Sequence, residues 1–240
     1  MTNTDHNTLK NQARTAGFLF LVWIITGLFG LMYIPAKINM QGEAADIARN
    51  ILANEFLFRT GVVVDLAGTA VWILMVLVFY RIFRQVNEFQ AKLLVTFVLV
   101  QIPAVIMTDA CNMLALVLFK GETLKAFELA QRQELAAVFL KINTSVTLVL
   151  EFFWGLWLLP LAVLTYRSRF LPRLLGAWLF VNGLAYLVLC FTGILFPSYT
   201  ETVYKIAFPV FFGEMALMLW LVIKGAKDNG LQIKKHEYEN

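Results

Sequence analysis

Histidine is nearly missing from this sequence and wholly missing from its apolar stretches, since both copies, His6 and His236, lie in polar end segments. A histidine metal site, a haem ligand pair or a Ser-His triad among the apolar residues is thereby excluded. Cysteine is also scarce: Cys111 and Cys190 are the two in 240 residues, they show no metal-ligand spacing, and packing is the expected role, with a disulfide between them left open. No HExxH, GxSxG, phosphate loop or dinucleotide fingerprint occurs. No cofactor is expected, and the identity of any bound metal stays unknown. Basic residues are missing from the interiors of the long apolar stretches, which matters because acids are not.

Charged residues make up 15% of the chain and hydrophobic ones 60%, with a mean hydropathy of +0.71. That balance lies outside the range of soluble domains and points to a polytopic membrane protein. The formal charge of +4 does not indicate nucleic acid, because Lys and Arg sit at the edges of apolar stretches, where topology explains them. The lipid bilayer is the partner they imply.

Six stretches are long enough to span at about 1.5 Å per residue: 16–34, 61–83, 93–119, 141–166, 174–196 and 206–223. In the first, Gly17, Thr26, Gly27 and Gly30 offer small surfaces for close helix packing, and Pro35 marks the end. Residues 36–58 are too polar to span. Ile47, Ile51, Leu52 and Phe58 fall near one helical face there, opposite Glu43, Asp46, Arg49 and Asn50, which predicts a short amphipathic helix at the interface. A second polar insertion, 120–134, keeps helical spacing through Leu124, Phe127, Gln131 and Leu135; it reads as another interfacial helix or as an extension of the next span. Pro103 predicts a kink in the third span, and Pro160 and Pro209 fall inside the fourth and sixth.

The fold expected is therefore all-α: a six-transmembrane-helix bundle with two extracytoplasmic amphipathic helices. It comprises an N-terminal tail (1–14), a single membrane domain (15–224) and a C-terminal tail (225–240). With both termini in the cytoplasm, the inner segments hold Lys10, Arg14, Arg81, Arg84, Lys92, Arg167, Arg169, Arg173, Lys224, Lys227, Lys234 and Lys235, twelve of the 20 basic residues. This bias sets the orientation.

Four acids, Asp65, Asp109, Glu151 and Glu214, each stand in a different apolar stretch with no basic residue at similar depth. An isolated charge in hydrocarbon costs at least several kcal/mol, so such acids face a bundle interior, titrate or hold a cation. By helical rise, Asp109, Glu151 and Glu214 sit roughly 14 to 16 Å below the outer surface and Asp65 about 9 Å. Gln101, Asn112, Thr144 and Thr147 are the neutral ligands the pattern offers beside them, and Trp72 and Trp154 could wall an ammonium group. For Asn182 a packing hydrogen bond is favoured over a role in binding.

Two segments, GEAADIARNILANEFLFRTG (42–61) and YRSRFLPRLLGAWLFVNGLAYL (166–187), together with ARTAGFLFLVWIITGLFG near the N-terminus and VFYRIFRQVN at 78–87, resemble the bacterial integral membrane family known as domain of unknown function 4386. The Arg-Phe-Leu-Pro-Arg-x-Leu-Gly run at 169–176 is its most distinctive part. The resemblance implies a bacterial cytoplasmic (inner) membrane protein and assigns no activity or catalytic residue.

The leading expectation is binding or transport of a proton, cation or small amine at the intramembrane carboxylates. The alternatives are a membrane-embedded enzyme acting on a lipid-like substrate, disfavoured by the missing His and Ser chemistry, and a structural or sensory subunit whose acids await a basic residue on a membrane partner protein.

Overall fold

The computed structural model describes residues 3–226, and the side chains from residue 9 onward. Lys227, Lys234, Lys235 and His236 of the expected tail lie outside the described residues, as does the side chain of His6. All regular structure among the described residues is helical. α1 (Asn3–Leu28) passes through one π-helical segment (Phe29–Tyr33) into α2 (Ile34–Lys37). Then come α3 (Ala44–Ala53), α4 (Glu55–Phe83), α5 (Glu88–Leu99), α6 (Ile102–Lys120), α7 (Leu129–Arg167), α8 (Arg173–Leu195), α9 (Thr200–Ala207) and α10 (Phe212–Ile223). A 3₁₀ turn, Pro197–Tyr199, precedes α9, and another, Phe208–Phe211, separates α9 from α10.

Six stretches are long and apolar enough to cross a membrane: Leu9–Lys37, Glu55–Phe83, Glu88–Lys120, Leu129–Arg167, Arg173–Leu195 and Pro197–Ile223. The six-span reading therefore holds, with boundaries that move outward. Pro35 does not end the first span, which continues past it to Lys37. The kink expected at Pro103 is a full interruption between α5 and α6, at Val100 and Gln101. α7 runs straight through the Pro160 position as one helix.

Residues 120–134 do not form a separate amphipathic helix; their second part is the extension of the next span that the spacing also allowed, since α7 begins at Leu129. Gly121 (φ +72°) and Leu124 (φ +50°) both take the left-handed conformation, which no helix tolerates. α7 starts immediately afterwards, with the Gln131 side-chain oxygen accepting the Glu128 N–H at 3.1 Å, one half of a capping box. The second short amphipathic helix is instead α9, where Glu201 and Lys205 pair at 2.6 Å while Ala207 is buried.

The chain packs as two compact units. One consists of the described residues of Met1–Leu21, Trp72–Gln101 and Leu148–Asn240, the other of Val22–Val71 and Ile102–Thr147.

In the first unit the core is aromatic. Phe20 meets Phe79 and Trp157 edge-on with centroids at 6.1 and 6.4 Å, and Trp72 meets Trp157 at 6.1 Å. Gly17 lets α1 touch α10, for a Cβ there would stand 2.7 Å from Leu221 Cβ and from the Val222 backbone nitrogen. The α7–α8 turn is built from the Arg-Phe-Leu-Pro-Arg run. Arg169 is left-handed (φ +60°), Ser168 Oγ donates to Thr165 O and accepts the Leu171 N–H, and Phe170 stacks on Phe83 at 5.8 Å.

The second unit has an aliphatic core in which α3 is a structural member. Its buried face, Ile47, Ala48 and Ile51, packs with Ile34, Ile38, Phe58, Ala115, Leu116, Phe119 and Ala136. The apolar face of α3 therefore meets protein, and the expected helix at a lipid interface is corrected to a cover over the ends of α4, α6 and α7. Glu55 closes its far end through Arg59 at 2.8 Å and Lys120 at 3.3 Å. Close packing with α4 uses Thr26, which sits against Gly68, whereas a Cβ added at Gly27 or Gly30 would meet nothing within 4 Å, so neither makes a close helix contact.

Candidate functional site

The acids fall into the two units in pairs, and each pair is built differently. In the first unit Glu214 lies in the opening turn of α10, where the helix dipole favours a negative group. The interruption that creates this helix start comes from Pro209, inside the Phe208–Phe211 turn. A side chain braces it: the Trp178 indole N–H donates to Val210 O at 2.9 Å. Gly213 makes room for that indole, because a Cβ there would stand 2.9 Å from Trp178 Cδ1.

Trp178, Asn182 and Tyr186 follow each other at intervals of four on α8 and so share one stripe. Asn182, 0% exposed, donates from Nδ2 to Glu214 Oε1 at 3.3 Å, and Tyr186, one turn on, lies within range of the Glu214 charge. Tyr186 lies within range of the charge of Glu151 on α7 as well. Around it stand Trp154, edge-on at 5.7 Å, and Phe211, stacked at 4.6 Å. Asn182 Oδ1 is enclosed without a hydrogen-bond partner, and so, separately, is Glu151 Oε2 on α7.

This arrangement depends on a close approach of α7 and α8. Gly155, one turn after Glu151, faces Gly183, next to Asn182. A Cβ on Gly155 would stand 2.6 Å from Gly183 O.

In the second unit Asp109 of α6 is 5% exposed, its Oδ2 has no hydrogen-bond partner, and Asp65 of α4 is near enough for its charge to act on Asp109. The neutral groups proposed beside these acids are largely self-satisfied. Thr147 Oγ1 reaches Asn143 Oδ1 at 3.4 Å, Thr144 is exposed and Asn112 half-buried. Gln101, in the first unit, is buried at the α5–α6 interruption, where its Nε2 donates to Phe97 O at 2.6 Å while Oε1 stays unpartnered.

Among the described residues none of the four acids takes part in an ion pair, and no group of three His, Cys, Asp or Glu side chains could hold a metal ion. Cys111 and Cys190 are buried free thiols, so the disulfide is not formed. Trp72 is spent in the aromatic core, whereas Trp154 does stand beside a carboxylate site.

Sequence reasoning gave Tyr186 no role and favoured a packing hydrogen bond for Asn182, and the bond that forms runs to Glu214 on another helix. The signal was present in their four-residue spacing on an otherwise apolar span; what it lacked was any indication that Glu214 lies opposite.

No solved structure matches the chain. An uncharacterized protein of Archaeoglobus fulgidus is 36% identical over 78 residues, 31% of this chain and 43% of that protein. The chain thus spans less than half the length of that curated relative. The family model for a domain of unknown function, DUF4386, matches residues 15–225, nearly the whole membrane region with both acid pairs inside it, and the chain belongs to that family.

Proposed function

We propose that the protein binds, and passes across the membrane, a proton, a small cation or a small amine at carboxylates held between its helices. The observation that carries this reading is Glu214: an acid between two spans, hydrogen-bonded by Asn182 and, among the described residues, in no ion pair. Neutral hydrogen bonds between membrane helices are worth well under about 1 kcal/mol on average, too little to offset a buried acid whose only role is adhesion. A ligand or proton bringing positive charge offsets it directly. Asp109 repeats the situation in the second unit, with Asp65 as its neighbour. Interrupted helices beside the acids, at Val100–Gln101 and Phe208–Phe211, are a feature of transporters whose sites lie within the bilayer. The basic residues flanking the spans support a cytoplasmic membrane location with both termini inside.

The test uses purified protein with Asp109→Asn, Glu151→Gln and Glu214→Gln, separately and together. Proton uptake and the binding of cations and amines are measured by calorimetry. Loss of uptake or binding in the variants is expected; the same values in all of them would remove the proposal.

A further inference from the structure

We infer that the α7–α8 turn and the end of α4 form a binding site for the phosphate headgroup of one anionic phospholipid, held by Arg81, Arg84, Arg167, Arg169 and Arg173. The site does not involve the buried acids.

Three contacts gather these arginines from separate segments. Phe170 stacks on Phe83 with ring centroids 5.8 Å apart, so Arg169 and Arg84, their immediate neighbours in sequence, flank one aromatic contact. The Arg84 N–H bonds Tyr80 O at 2.9 Å, which continues the turn of α4 and leaves Arg81 one turn back on the same face. Gly176 brings the start of α8 against the end of α7, since a Cβ there would stand 2.6 Å from the Tyr166 backbone nitrogen. Across that crossing the Arg173 guanidinium covers the Tyr166 ring at 5.7 Å, and Arg167, next to Tyr166, is the last residue of α7. All five arginines are exposed.

Their charge is not answered within the protein. Among the described residues none of the five takes part in an ion pair, whereas Arg49 pairs with Asp46, Arg59 and Lys120 with Glu55, and Lys205 with Glu201. Glu88, the acid closest in sequence to Arg84, is taken by Lys92 at 2.9 Å. α8 opens with no acid in its first turn and no side-chain cap, so its dipole adds to the positive field. Like charges held around one turn repel each other, and a bound anion relieves that repulsion. Guanidinium groups match phosphate oxygens in bidentate geometry.

Position selects a lipid as the source of the phosphate. The second span ends at Phe83, the fourth at Arg167, and the fifth begins at Arg173, which puts the arginines at headgroup depth, where basic clusters recognise anionic lipids. Leu174, 75% exposed beside Arg173, starts an apolar stripe that continues through Trp178 to the exposed Val181. An acyl chain has a surface to follow there, and a free phosphate ion has no use for it.

The experiment titrates purified full-length protein in a neutral detergent with phosphatidylglycerol, phosphatidylcholine of the same chains, and sodium phosphate, counting bound lipid by native mass spectrometry. One phosphatidylglycerol is expected to bind about tenfold more tightly than phosphatidylcholine, with no displacement by phosphate. An arginine beside an anionic headgroup is worth about fivefold in affinity, so Arg84→Gln with Arg169→Gln is expected to weaken phosphatidylglycerol roughly twentyfold. Arg81→Gln with Arg167→Gln is expected to do the same, and it decides the matter should the first pair melt below wild type without lipid. Arg14→Gln with Lys224→Gln removes equal charge near other span ends and should change binding by less than about threefold, because diffuse attraction depends only on the number of charges. Equal weakening by this control pair would overturn the inference, as would equal binding of the two lipids, displacement by phosphate, or unchanged binding in both arginine pairs.

Discussion

The contact between Gly155 and Gly183 sets the distance from α7 to α8. A methyl group at Gly155 would stand 2.6 Å from Gly183 O, 2.7 Å from Leu187 Cγ and 2.9 Å from Leu187 Cδ2. The leucine can rotate away, but the carbonyl belongs to a helix backbone and cannot. Moving from 2.6 Å to the 3.4 Å of ordinary contact requires about 0.8 Å of helix separation. The reverse substitution is milder: a Cβ at Gly183 meets Gly155 O at 3.0 Å, so about 0.4 Å suffices. Overpacking of this kind costs about 1–3 kcal/mol. Gly155→Ala is placed at the upper end of that range and Gly183→Ala at the lower. Gly27 provides the control, since it lies in α1 with nothing within 4 Å; Gly27→Ala should gain up to about 1 kcal/mol from helix propensity. Denaturation of the four proteins in one detergent, followed by tryptophan fluorescence, gives the order Gly27→Ala, wild type, Gly183→Ala, Gly155→Ala from most to least stable. A Gly155→Ala protein as stable as wild type would refute the claim that backbone contact fixes the α7–α8 spacing.

Two further outcomes concern the α7–α8 turn and the cover helix. Ser168→Ala removes the oxygen that donates to Thr165 O and accepts the Leu171 N–H, leaving a buried donor unpaired at about 1–3 kcal/mol, whereas Arg169→Gly relieves a left-handed non-glycine residue and should gain about 0.5–1 kcal/mol; melting shifts of opposite sign check the pair. Ile51→Ala empties a 0% exposed position under α3 at about 2–5 kcal/mol, and hydrogen exchange should rise first in Ala44–Ala53, a pattern that an α3 lying on lipid would not give.

The number and type of the elements were legible because the bilayer imposes one length and one composition on each span, and 16–34 or 61–83 meet both conditions without knowledge of any neighbour. What the apolar face of α3 packs against was not legible. The pattern of Ile47, Ile51 and Phe58 states that one side avoids water, and lipid or Phe119 satisfies it equally. The glycines show the same limit. Gly17 and Gly27 look alike in sequence, and only the position of α10 makes the first a contact and the second an open surface. At 120–134 the helical spacing held from Leu129 onward, as the start of α7, whereas Gly121 and Leu124 in the left-handed region broke it before that.

The acids were legible for the opposite reason, since a carboxylate in an apolar span conflicts with its surroundings whatever lies beside it. Their partners were hidden because Asn, Tyr and Trp fit a membrane helix with or without a function. Tyr186 illustrates the consequence. Alone it is an ordinary aromatic residue in a hydrophobic span; across from Glu214 it lies within the electrostatic reach of two carboxylates. What the sequence could not display is the pairing itself: Asn182 gives its amide donor to Glu214 across two helices and keeps Oδ1 without a partner.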